Sequence, residues 1–354
     1  MDSSLITRHP SLVTRHSSLV TRHLSLVTCH SSLKNLVALA ALLLLFSCTG
    51  KTKPATADAD SARIVPLEFC ADSAMKFVEA QCNFGARTPG SAAHDQCAAY
   101  IADAFRAYGL SVSEQRMTLQ GWDGKTFPCV NITAAYKPEL QARVVIASHW
   151  DSRPWADNDA DSAKHRQPVM AANDGASGVA VMLELARQIS TLNPAVGVDF
   201  VCFDAEDYGA PYWGKQAEDG SDWCLGSRYW AQNLPEGYRP RYGVLLDMVG
   251  GADTFFSYEY YSRQYASDVM ARLWSCALSD EAKSLFKSED GTAVMDDHVP
   301  MNQIAHIPTV DVIGHTGQGF SSTWHTTTDI PQNISARHLK AVGQTLMQML
   351  FEEN

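Results

Sequence analysis

The chain lacks three features, each of which would have pointed to a different class of protein. It has no Cys-x-x-Cys pair, so the spacing of a thiolate zinc site is missing. It has no surplus of basic residues: 28 Lys and Arg stand against 39 Asp and Glu, a formal net charge of -11. That balance leaves little to neutralise a phosphate backbone and argues against a nucleic-acid partner. Its leader holds an apolar run, Leu36 to Phe46, of only eleven residues, whereas a membrane-crossing helix needs roughly 20. What is present is ordinary for a globular protein: 45% hydrophobic and 19% charged residues over 354 positions, enough for one large domain or two small ones.

The N-terminal region reads as targeting, not fold. Ser-Leu-Val-Thr-Arg-His occurs at 11–16 and 18–23, with variants at 4–9 and 25–30. A repeat this short has no room for a core, and it reads as an overextended start or a disordered extension. Lys34 and the run 36–46 suit the h-region of a signal peptide. Leu45-Phe46-Ser47-Cys48 resembles a bacterial lipobox, with Cys48 as the lipid anchor, although Phe46 is an unusual choice within it. An ordinary signal peptide cleaved nearby is the alternative. The expectation is therefore an exported protein, a periplasmic or outer-membrane lipoprotein tied to the membrane by its lipid. Residues 1–48 are the repeat extension and signal peptide, 49–64 a flexible tether, and 65–354 a single catalytic domain. Leaving out Cys29 and Cys48, seven of the nine cysteines remain. Export permits disulfides, but an odd number leaves at least one thiol free.

From about residue 71, helical and strand patterns alternate. Asp72 is the expected cap of a first helix, and Ser91 the cap of a long amphipathic helix ended by Gly109. Strands are predicted over 112–119, 130–136, 143–148, 198–203, 242–246 and 309–313, and helices over 174–190, 226–233, 264–278, 295–305 and 335–351. Such alternation implies an α/β fold with a mostly parallel sheet and helices on both faces.

Open α/β sheets bind their ligands at the carboxyl ends of the strands. That is where His149 and Asp151, the pair Glu206–Asp207, and Asp247 fall. Asp174 lies in the small-residue turn Asn173-Asp174-Gly175-Ala176-Ser177-Gly178, and His325 in Trp324-His325-Thr326, with Asp329 as a possible support for its ring. Each group alone is ordinary: a turn, a solvated acid pair, a structural histidine. Together they make a nitrogen-and-oxygen donor set suited to a catalytic Zn²⁺.

The ordered series His149-x-Asp151, Asn173-Asp174-x-Ala176-Ser177-Gly178, Glu206-Asp207, Leu246-Asp247-Met248 and Trp324-His325-Thr326 resembles the zinc-dependent exopeptidases. That family contains co-catalytic aminopeptidases and the animal-type glutaminyl cyclases. The resemblance runs from about residue 70 to the C-terminus and implies a three-layer α/β/α sandwich around a twisted, mixed sheet. It implies Asp174, Asp207 and His325 as zinc ligands and Glu206 as the catalytic acid/base. The family usually has Glu-Glu where this chain has Glu206-Asp207, so the shorter Asp207 requires the metal or backbone to shift.

The resemblance leaves two activities. An aminopeptidase holds two zincs, with Asp174 bridging and His149 and Asp247 serving the second. A cyclase holds one, and both residues are present either way. Trp324 before the ligand histidine, Met295-Asp296-Asp297-His298-Val299-Pro300, and Trp223-Cys224-Leu225-Gly226-Ser227-Arg228 are closer to the cyclases. There Asp296, with Asp247, joins the catalytic hydrogen-bond network, and Trp324 with Tyr212 or Trp213 walls the substrate pocket. A histidine of the animal enzymes is Asp311 here. The cyclase is the preferred reading: a monomer with one zinc per chain, acting on peptide or protein N-termini. A di-zinc aminopeptidase, or an inactive surface-anchored binding protein that reuses the fold, are the alternatives.

Overall fold

The computed structural model describes residues 64–354. The leader, Cys48 and most of the tether lie outside the described residues. The first helix, α1 (Ala71–Cys82), has Cys70 at its N-cap and no side-chain cap. Asp72, the cap expected from sequence, instead sits inside the first turn, where its charge complements the positive helix end. In α2 (Ala92–Ala107) Ser91 is the cap, accepting from the His94 amide at 3.1 Å, and Gly109 follows at a left-handed φ of +82°.

The chain continues through β1 (Ser111–Gln120), β2 (Thr126–Tyr136), β3 (Arg143–His149), α3 (Ala176–Leu192), β4 (Gly197–Phe203), α4 (Leu225–Gln232) and β5 (Gly243–Asp247). It closes with β6 (Phe256–Tyr258), α5 (Tyr260–Ser275), α6 (Asp280–Leu285), β7 (Phe286–Asp290), α7 (His298–Gln303), β8 (Thr309–Ile313) and α8 (Ala336–Phe351). The six-stranded sheet runs β1-β2-β4-β3-β5-β8. Strands β4, β3, β5 and β8 are mutually parallel, while β1 and β2 join antiparallel at one edge. The sheet is thus mixed and mostly parallel. A separate parallel pair, β6 and β7, and α6 have no counterpart in the sequence reading. The helix predicted over 295–305 is shorter, and Met295 to Asp297 lie in the loop before it.

Every residue of β3, β4, β5 and β8 is buried, as expected for strands covered on both faces. Side-chain alternation divides them between two cores. Val144, Ile146, Val198, Phe200, Val244 and Leu246 pack with α1, α3 and α8. Val145, Ala147, Val201, Phe203 and Leu245 face the other way, onto Trp230 of α4 and Met301 of α7. Helix α3 begins very close to the sheet: a Cβ on Gly178 would stand 2.6 Å from the Leu246 carbonyl oxygen. That approach sets Asp174, just ahead of the helix, against the strand ends. Among the described residues no helix is long and apolar enough to cross a membrane, and the seven cysteines are free thiols.

Candidate active site

The four parallel strands deliver their carboxyl ends to one place. His149 ends β3, Asp247 ends β5, and Glu206 and Asp207 follow β4 by three and four residues. Asp174 arrives from the turn before α3, and His325 from the loop after β8. Two donor sets form, Asp174–Asp207–His325 and His149–Asp174–Asp247, each with its ligand atoms within 4.8 Å of one another. Asp174 belongs to both. Its Oδ1 is 3.0 Å from His149 Nε2 and its Oδ2 3.5 Å from His325 Nε2. His325 Nε2 is also 3.1 Å from Asp207 Oδ1, and His149 Nε2 3.3 Å from Asp247 Oδ1.

The backbone is bent to make this possible. Ala205, Met248 and His325 all take left-handed φ, between +48° and +55°, at a cost of roughly 1–3 kcal/mol each that the surrounding structure must hold. Gly175 has a steric reason: a Cβ there would stand 2.6 Å from His149 Nε2.

A layer of supporting groups fixes these side chains. Asp151 accepts the amides of Glu206 at 3.1 Å and Asp207 at 3.3 Å, and its Oδ1 is 3.3 Å from His149 Nδ1. The sequence reading pairs Asp329 with His325, and the structure corrects this. Asp329 accepts the amides of Asn173 and Asp174 at 2.7 and 3.1 Å, so it shapes the Asp174 turn. The acid beside His325 Nδ1 is Asp157, at 3.5 Å. Asp157 is in turn gripped by both arms of Arg153, at 2.7 and 2.6 Å. Neither residue stands out in the sequence, because a buried Arg–Asp pair four apart looks the same there as an exposed one.

The electrostatics are those of a crowded, buried acid cluster. Burial first, then the charges of Asp296 and Asp207, push the Glu206 carboxyl well above the usual range, with His149 opposing. Burial and Asp174 push Asp247 up to about 6, and burial and Asp247 push Asp296 up to about 7. For His325 burial works against the charged ring, but Asp207 and Asp157 outweigh it and its pKa rises. Asp207 Oδ2 is buried with no hydrogen-bond partner. Two carboxylates and an imidazole converging around an unsatisfied oxygen fit a zinc ion well, both in donor type and in number for a catalytic site with an open position.

These groups line a cavity of about 770 Å³ together with Trp324, Trp223, Phe320 and Tyr212. Trp324 stacks on the His325 ring at 4.0 Å, and Trp223 lies parallel to it at 6.1 Å. Tyr212 is 65% exposed, so of the two aromatics expected at the wall it stands at the mouth. Trp213 stands outside, in a smaller cavity of about 380 Å³ with Trp122, Trp155 and Arg166. Trp223 and Cys224 extend the site beyond the residues proposed from sequence, Cys224 Sγ lying 3.3 Å from Glu206 Oε1. Glu206, Cys224 and Asp296 form a third close set within 4.8 Å.

Known proteins share this fold. The chain is 41% identical to the glutaminyl cyclase of Bacteroides thetaiotaomicron, solved bound to N-acetylhistamine, with a TM-score of 0.79 over 81% of this chain and 99% of that one. It is 42% identical to a leucine aminopeptidase precursor from the same organism, with a TM-score of 0.79 over 82% and 99% of the two chains. The aminopeptidase YwaD of Bacillus subtilis is 27% identical over 220 residues, 59% of this chain and 40% of that protein. The chain spans 64%, 40% and 39% of the length of three curated relatives it matches. The sequence pattern of Peptidase family M28 matches residues 131–350. With its α/β/α fold and its Asp–Asp–His donor set at the strand ends, the chain belongs to Peptidase family M28, whose solved relatives at about 40% identity are bacterial glutaminyl cyclases and zinc-dependent exopeptidases.

Proposed function

We propose that the protein is a glutaminyl-peptide cyclotransferase, converting N-terminal Gln of peptides and proteins to pyroglutamate with release of ammonia. The observation that carries this reading is the pair Glu206 and Asp296, two buried acids within 4.8 Å of one another, on the wall of a tryptophan-lined cavity beside the Asp174–Asp207–His325 set. Identities of 40–41% across nearly the full length of three bacterial glutaminyl cyclases support it.

In this reading Asp174, Asp207 and His325 hold the zinc. Bound there, zinc supplies Lewis acidity toward the γ-carbonyl oxygen. Trp324, Trp223 and Tyr212 enclose the Gln side chain and exclude water, so that the α-amine is held against the γ-carbon as an intramolecular nucleophile. Glu206 takes a proton from the α-amine and returns one to the leaving amide nitrogen. Asp296 and Asp247 flank it and hold the nitrogen's hydrogens. The C–N bond to the side-chain nitrogen breaks as the lactam C–N bond forms, and ammonia leaves.

A di-zinc aminopeptidase is the second reading. The His149–Asp174–Asp247 set, which shares Asp174 with the first, favours it. The two separate in one assay: purified protein is offered Gln-peptides and aminoacyl chromogenic substrates, and its zinc is counted. The expected result is ammonia release, little aminoacyl hydrolysis and one zinc per chain. Two zincs with aminoacyl hydrolysis would move the assignment to the aminopeptidase, and a purified protein that carries no zinc and turns over neither substrate would indicate an inactive binding protein.

The proposal extends to location. Cys48, outside the described residues, is read as the lipid anchor of a periplasmic or outer-membrane lipoprotein. Cys48→Ala should move the protein out of the membrane fraction or block its processing, and an unchanged membrane fraction would remove the lipoprotein.

A further inference from the structure

Asp296 also belongs to a further set of donors whose other two members, His298 and Asp311, the proposed reaction does not use. Asp296 lies in the loop before α7, His298 opens that helix, and Asp311 is in the middle of β8. They are 3%, 0% and 0% exposed, and their donor atoms lie within 4.8 Å of one another. Their hydrogen-bonding capacity is not met. Asp296 Oδ2, both carboxylate oxygens of Asp311, and His298 Nδ1 have no hydrogen-bond partner. His298 Nδ1 and Asp311 Oδ2 are 3.6 Å apart, beyond hydrogen-bond range. Buried polar groups in native proteins are nearly always satisfied, and a group left over calls for an explanation such as an ion.

The other face of the histidine supplies the independent sign. His298 Nε2 is 3.1 Å from Glu259 Oε2. Glu259 is itself fixed by the amides of Tyr261, Ser262 and Val294, at 3.0, 2.7 and 3.1 Å. A metal-binding histidine commonly gives one ring nitrogen to the ion and donates the other N–H to a carboxylate that orients it. His298 has that arrangement, with its free nitrogen close to unsatisfied oxygens of two carboxylates, Asp296 Oδ2 and those of Asp311.

We propose that Asp296, His298 and Asp311 form a second divalent-cation site, sharing no residue with the Asp174–Asp207–His325 set and taking a first-row ion such as Mn²⁺ beside the one zinc of that set. An imidazole nitrogen beside carboxylate oxygens favours such ions over Ca²⁺ or Mg²⁺. The ion has a route in, because Asp296 and Glu259 both line the main cavity. Burial first, then the charges of Asp296 and Glu259, push the Asp311 carboxyl well above its usual range. The cluster is short of positive charge, and a cation would supply it. The site does not depend on whether the enzyme cyclises or hydrolyses, and its occupation would fix the carboxylate next to Glu206.

The test is anomalous scattering. Purified full-length protein is stripped with a chelator, crystallised with Mn²⁺, and measured at the manganese edge. The expected result is a peak at coordination distance, roughly 2.0–2.2 Å by analogy with first-row ions, from His298 Nδ1 and oxygens of Asp296 and Asp311. In solution, His298→Ala and the isosteric Asp311→Asn should each bind one ion fewer per chain than wild type, while His325→Ala should keep that ion. Peaks confined to the His325 and His149 sets, or an ordered water without anomalous signal between the three residues, would overturn the site and leave shared protons as what neutralises the cluster. The wild-type crystal separates these outcomes even where a variant fails to fold.

Discussion

Glu206→Gln should lower the turnover of Gln-peptides by roughly 10²–10⁴-fold, the usual worth of a positioned acid/base, with zinc content unchanged. The substitution keeps the size of the side chain and removes its ability to carry a proton. Glu206 is 8% exposed and touches Cys224 Sγ at 3.3 Å, so the amide should fit the same space. It belongs to neither Asp174-centred set, which is why the metal should remain. The adjacent residue should behave differently. Asp207→Ala removes one of three protein donors and should lose zinc and activity together, whereas Asp207→Glu, restoring the commoner pair, should keep the metal. If Glu206→Gln stripped the zinc and Asp207→Ala did not, the two roles would be exchanged. Normal cyclisation by both variants would place the reaction elsewhere.

The parts of this site that could be read from the sequence are those whose position follows from a strand. His149, Glu206, Asp207 and Asp247 each follow an apolar run, and parallel strands with helical crossovers must deliver their ends to one edge. The fold brought all four there. Two antiparallel edge strands and a six-strand order could not be deduced in the same way, because pairing is set by long-range packing and not by local pattern. The three-residue β6 and six-residue α6 escape a sequence reading because elements this short carry no periodicity. The supporting layer is hidden for another reason. Asp329 and Asp157 are both acids near the ligands in the chain or in space, and nothing local says which one turns toward His325. The answer lies in contacts across the chain: the His325 ring meets Asp157, and Asp329 takes the Asn173 and Asp174 amides. Trp213 is likewise indistinguishable from Tyr212 until the loop's direction is known.

Arg153→Ala should destabilise the fold by roughly 3–5 kcal/mol, as expected when one partner of a buried ion pair is removed. Arg153 is 1% exposed. Besides gripping Asp157, its Nη1 donates to the carbonyl oxygens of Asp207 at 3.1 Å and Gly209 at 3.3 Å, and lies 3.4 Å from Asp207 Oδ1. Its guanidinium also packs over the rings of Trp223 at 4.7 Å and Trp155 at 5.4 Å. Burial alone would raise the Asp157 carboxyl; Arg153, aided by His325, instead holds it well below the usual range. Without Arg153 that charge is stranded in the interior. The second consequence falls on the metal. Arg153 orients Asp207 directly and His325 through Asp157, so its loss should weaken zinc binding by roughly 10–100-fold, the typical effect of removing a supporting partner. Arg153→Lys keeps the charge but cannot form the two-armed grip, and should fall between the two. Thermal unfolding with excess chelator isolates the structural part, and competition with a zinc indicator measures the affinity. Because zinc binds the native state alone, the two losses should add in the zinc-loaded protein, with about 1.4 kcal/mol for each tenfold loss of affinity at saturating metal. An Arg153→Ala protein with wild-type zinc affinity would show that Asp157 and Asp207 hold their places unaided, and Arg153 would then be a structural residue only.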